Sequence, residues 1–66
     1  MNTHLKPMEI ETLMLMADGK TIQEIGLITC RSKFTIMKRI EKLKNKAGVS
    51  KETALMASAF RRGWIE

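Results

Sequence analysis

Apolar side chains return every three or four residues along this chain, and clusters of Gly, Ser, Thr and Asp interrupt that rhythm in three places. The pattern predicts four helices and no strand. Over about residues 7–18, Ile10, Leu13, Met14 and Ala17 make one apolar stripe with Met16 beside it, and Asp18-Gly19 supplies the stop. Pro7 suits the opening turn because its missing N–H would have no partner there. Glu9 and Glu11 then put negative charge near the positive end of the helix dipole.

Thr21-Ile22-Gln23-Glu24 has the form of a capping box, Thr21 accepting from the backbone three residues on while Glu24 reaches back. The second helix is predicted over about 21–28, with Ile22, Ile25 and Ile28 inward. Gly26 costs stability there unless another helix packs closely against it. Ser32 is the next favourable N-cap, which leaves 29–32 as a tight turn and predicts a third helix over about 33–47. In it Ile36, Ile40, Leu43 and Ala47 keep i, i+4, i+7, i+11 spacing and form a buried seam. Lys33, Met37, Lys38, Glu41, Lys44 and Asn45 point mostly outward, and Gly48 ends the helix. Ser50 is expected to cap a fourth helix over about 51–62, with Leu55, Met56, Ala59 and Phe60 toward the core and Gly63 closing it. Ala54, Ala57 and Ser58 lie on another side, small enough for a second helix to approach, or simply good helix formers.

A chain of 66 residues suits one domain with a single modest core, and no repeat, linker or low-complexity stretch divides it. The fold class expected is all-α. Net charge is +5 and unevenly placed: residues 1–30 carry two Lys against four acids, residues 31–66 ten Lys or Arg against three. Seven of the twelve basic residues fall within 29–48. This asymmetry meets the requirement of a nucleic-acid or anionic-membrane face, and it also suits a solvated helix face. No apolar run approaches the roughly 18 residues of a membrane span, and the N-terminal MNTHLKPME lacks a signal-peptide core, so a cytoplasmic protein without membrane contact is expected.

Cys30 is the only cysteine, which excludes an internal disulfide and a cysteine metal cluster; a small core residue is its expected role. His4 is the only histidine, expected as a solvated terminal residue, so a His-based triad and a multi-His metal site are excluded. Met14, Met16, Met37 and Met56 sit in helical patterns as core filler or contact surface. With no nucleophile–base pair, metal set or phosphate-cradling Gly loop, neither an enzyme nor a cofactor is expected.

A short helix, a tight turn and a longer basic helix describe a helix-turn-helix, whose second helix enters the major groove while its N-terminus and flanking bases grip phosphate. Leu5-Lys6-Pro7-Met8-Glu9-Ile10-Glu11, Leu13 to Gly19, Glu24-Ile25, Thr35-Ile36, Lys46-Ala47-Gly48-Val49 and Arg61-Arg62-Gly63-Trp64-Ile65, in that order and spacing, resemble the LuxR-type (NarL/FixJ, GerE) DNA-binding domain over about residues 5–65. The resemblance implies a four-helix domain with helices 2 and 3 as the helix-turn-helix, helix 4 as a dimerisation surface, and work as a bacterial transcription regulator on double-stranded DNA. Members usually carry this domain behind a phospho-receiver or autoinducer-binding domain; this chain looks similar to the stand-alone members. It departs from the family pattern at Thr29-Cys30-Arg31, where apolar-Gly-apolar is usual, and at Met37, Lys38 and Glu41, positions that often carry base-reading polar side chains. Ile10 and Met14 stand where the family is commonly charged and mark an extra apolar contact surface. TIMKRIEKL also resembles the recognition helix of sigma-factor region 4, but ETALMASAFRRGWI fits the LuxR-type fourth helix better.

Phosphate contact gives affinity and base-edge contact gives sequence choice, so Lys33, Thr35, Lys42 and Lys46 are assigned mainly to phosphate. Met37, Lys38 and Glu41 are assigned to bases: Lys38 donating to guanine O6/N7, Glu41 accepting from cytosine N4, Met37 touching a thymine methyl. Glu41 has two other options, never facing DNA or pairing with Lys38, Lys42 or Lys44 on its own helix, and the pairing is the one expected. The resemblance places dimerisation on helix 4, at Ala54, Ala57, Ser58 and Arg61, as a homodimer or a heterodimer with a related regulator. The rival from another class is an interaction module that pairs with a full-length relative and keeps it from DNA.

Overall fold

The first three helices start where backbone groups at their N-terminal ends find side-chain partners. The computed structural model describes residues 5–66 as α1 (Pro7–Ala17), α2 (Ile22–Thr29), α3 (Lys33–Ala47) and α4 (Glu52–Arg61), with no strand among them; the expectation for His4 lies outside the described residues. Lys6 N–H donates to Glu9 Oε1 at 2.9 Å and Pro7 takes the opening turn of α1. At α2, Thr21 N–H donates to Glu24 Oε1 at 2.8 Å while Glu24 N–H donates to Thr21 Oγ1 at 3.1 Å, the reciprocal box expected. The Thr21 N–H first, and the Thr21 hydroxyl after it, hold the Glu24 carboxyl below its usual range. Thr35 N–H donates to Ser32 Oγ at 3.1 Å to open α3, and Gly48, with φ +70°, closes it.

Two ends differ from expectation. Lys51, not Ser50, precedes α4, and its side chain makes no capping bond. Cys30 is exposed rather than buried, and it ends α2 in the left-handed conformation at φ 58°. There Arg31 N–H donates back to the Gly26 carbonyl at 2.9 Å, and a Cβ on Gly26 would lie 2.8 Å from the Arg31 carbonyl oxygen. The close neighbour that demands a glycine at position 26 is thus the chain's own turn, not another helix.

α1 and α3 each pack against the three other helices, while α2 and α4 do not meet. The α3 seam of Ile36, Ile40, Leu43 and Ala47 joins Leu13, Ile25, Leu55, Ala59 and Ile65 in the core. Burying each Ile or Leu of this set stabilises by roughly 1.5–3 kcal/mol. Past α4, Arg62 Nη2 donates to the Ala47 carbonyl at 3.3 Å and its guanidinium lies 5.3 Å from the Trp64 ring centroid, which pins the tail that carries Ile65 inward.

The buried faces of the other helices agree in part with those predicted: Leu13, Ile25, Leu55 and Ala59 are in the core and Ile10, Ile22 and Met56 pack against it, but other positions differ. On α1 the inward stripe is Glu9, Thr12 and Leu13 with Met16 partly buried, so Met14 is 55% exposed and Ala17 lies outside. Thr12 is tolerated inside because its hydroxyl donates to the Met8 carbonyl at 2.9 Å and accepts from Arg39 Nη1 at 3.4 Å. On α2 the inward line is Ile22, Ile25, Gly26 and Thr29, and Ile28 is exposed. Steps of three residues slip by about 60° each, so a second step leaves the face. On α4, Ser58 is buried and Phe60 is 49% exposed, the reverse of expectation. Leu55, Ser58 and Ala59 share one side of that helix, and Phe60 falls beyond its edge.

Candidate nucleic-acid interface

The seam of α3 has a counterpart on its far side. Phe34, Lys38, Glu41 and Asn45 repeat the same i, i+4, i+7, i+11 spacing offset by two residues, which is a rotation of roughly 200°, and all four are exposed. Met37 borders this line on one side, Thr35 and Lys42 on the other, and Lys33 stands at the N-terminal end; all are exposed. One helix therefore carries an apolar inner line and a mixed outer face with three Lys against one Glu.

Beside that face, where α1 begins, lies a cleft of about 190 Å³ lined by Lys6, Met8, Glu9, Thr35, Lys38, Arg39 and Lys42. Four cations thus meet one carboxylate, and that carboxylate is already engaged. Glu9 accepts from Lys6 N–H at 2.9 Å and from the Lys46 ammonium at 3.0 Å. Burial pushes the Glu9 carboxyl up, but the Lys6 N–H, the Lys46 ammonium and the nearby Lys42 charge outweigh it and hold the pKa below the ordinary value. The Arg39 guanidinium is braced against Thr12, so one side of the cleft is held in place.

Of the residues assigned to phosphate, Lys33, Thr35 and Lys42 lie on the outer face, and Thr35 Oγ1 also stands 3.0 Å from Ser32 Oγ in the cap. Lys46 is different. Its ammonium ties α3 to the buried Glu9 of α1, which makes it a part of the fold first. Met37, Lys38 and Glu41, assigned to bases, stand together in the open. The expected Glu41–Lys pairing is not formed: among the described residues no ion pair engages Glu41. Lys44, partly buried, lines a shallow groove with Glu41 and Glu52.

On α4, Ala57 and Arg61 are exposed and Ala54 is partly so, but Ser58, 1% exposed, is a core residue and offers nothing to a second helix. Phe60 takes its place on the open side. Sequence reasoning missed Phe34, Lys6 and Arg39. The first was visible as the start of the line that mirrors the buried seam; the other two meet only once α1 folds against α3.

No helix among the described residues is long and apolar enough to cross a membrane, and no three His, Cys, Asp or Glu side chains among them gather as a metal site. Comparison with protein-family models, curated proteins and solved structures finds no match.

Proposed function

We propose that this protein is a sequence-specific, double-stranded-DNA-binding regulator of transcription of the LuxR type, with α3 in the major groove and α4 pairing two copies. The observation that carries the proposal is the segregation on α3: an apolar line holds the helix to the domain, and the opposite line presents Lys38 and Glu41 between flanking cations. A helix of this kind fits a groove whose walls are phosphates and whose floor is base edges.

Lys33 at the N-terminal end of α3, Thr35, and the Lys6–Arg39–Lys42 cleft supply the phosphate grip, which orients α3 without reading sequence. Met37, Lys38 and Glu41 are then left to the bases. With its carboxylate unpaired on the outer line, Glu41 serves as an acceptor for a cytosine amino group. Ala54, Ala57, Phe60 and Arg61 form the pairing surface, small residues permitting close approach and the half-exposed ring adding apolar area.

That same surface favours a second reading, in which the protein pairs with a related regulator and keeps it off DNA. A gel-shift assay with purified protein and a random duplex pool separates them. A regulator retards DNA unaided, and Ala57→Glu weakens that retardation while the helical circular-dichroism signal persists. An antagonist leaves the pool unshifted.

A further inference from the structure

Phe34 is the second residue of α3 and the apolar member of its outermost line, with 72% of its surface exposed. The ring takes no part in the core or in the partly buried apolar layer around it. Around it in the sequence are the exposed cations Arg31 and Lys33 before it and Lys38 one turn along the same line, with the half-exposed Met37 at i+3 as its one apolar companion on the helix. A protein surface covering the ring would have to desolvate these charges at the same time. A DNA duplex gives them phosphates, and its major groove offers one apolar group among the base edges, the thymine C5-methyl.

We infer that Phe34 is a sequence-reading residue that selects thymine through its C5-methyl group. The inference rests on the DNA-binding reading of α3. The N-terminal residues of a recognition helix are those that reach base edges, which puts the ring, and not only the polar side chains further along, at the depth of the methyl. Two copies related by a two-fold axis then fix one thymine in each half-site, at equal distances from the centre.

The test is binding-site selection from a random duplex pool with the wild type and with Phe34→Ala, which removes an exposed ring and leaves the core intact. The wild type should enrich one thymine per half-site that Phe34→Ala no longer enriches, while the remaining preferences persist. Replacing that thymine with deoxyuridine should weaken the wild type about threefold to fivefold per half-site, the effect of one methyl group, and leave Phe34→Ala unchanged. The inference is overturned if the variant keeps every preference of the wild type, or if deoxyuridine and thymidine bind the wild type equally. Loss of self-association in Phe34→Ala with unchanged DNA preference overturns it too, and gives the ring to a protein contact. If the wild type enriches no sequence, the DNA-binding reading falls with it; if it enriches a site in which the ring plays no part, the inference about Phe34 alone falls.

Discussion

α1 and α3 pack against each other and solve opposite problems. α3 hides Ile36, Ile40 and Leu43 and shows Lys38, Glu41 and Asn45; α1 hides Glu9 and Thr12 and shows Met8 and Met14. The difference is one of partners. Glu9 and Thr12 go inside because Lys46 and Arg39 reach across from α3 to meet them, at 3.0 and 3.4 Å. Those bonds stop a buried carboxylate and hydroxyl from being a burden. α3 thus faces two ways, its outer side toward solvent and its flank toward the polar residues of α1.

The largest effect expected from this contrast lies in neighbouring positions of α1. Leu13→Ala should cost about 2–5 kcal/mol, enough to unfold much of so small a domain, whereas Met14→Ala should stay within about 0.5 kcal/mol. Urea titration of the two variants checks this, and equal losses would mean that α1 is turned otherwise.

The same chemical change on the two helices sharpens the comparison. Glu9→Gln removes the partner of Lys46 and weakens the bond that opens α1; since Lys46 is one-third exposed and can rehydrate, the expected cost is about 1–2 kcal/mol. Because the folded-state pKa of Glu9 is lowered, its contribution is fully present above the ordinary carboxylate pKa of about 4.3 and is lost as pH falls through the folded value. Wild-type melting temperatures should therefore drop more steeply below about pH 4.3 than those of Glu9→Gln. Glu24, whose pKa is also lowered, is present in both proteins and cancels.

Glu41→Gln should leave stability within about 0.5 kcal/mol and act on DNA instead, relaxing choice at one base pair at a cost of about 1–3 kcal/mol. Tighter binding to all sequences alike would show that Glu41 merely repels phosphate.

The contrast also explains what could be read in the chain. The bounds of α3 follow from Ser32 and Gly48, whose effects are local, and its buried side was legible because only one line of the helix is apolar. In α1, seven of eleven residues are apolar, so periodicity alone does not select a face. The choice was made by Arg39 and Lys46, which lie 27 and 37 positions from their partners. The site divides in the same way. Lys33, Thr35, Met37, Lys38, Glu41 and Lys42 follow from one helix's period, but the basic cleft needs Lys6 and Arg39 brought together by tertiary packing. The structural role of Lys46 was hidden for that reason: nothing within α3 reveals that its ammonium pairs with Glu9. On α4, apolar residues flank both sides of Ser58, which hid its exchange with Phe60.

The central claim, that the outer face of α3 and the cleft beside it grip DNA, is tested most directly by fluorescence-anisotropy titration of a labelled duplex across a range of salt concentrations. Several phosphate contacts predict a log–log slope of roughly −3 to −6 per monomer, at about 0.9 per contact, reduced by about one in Lys42→Ala. Binding that barely changes between low and moderate salt, or no binding by the folded protein at any salt, would contradict the account.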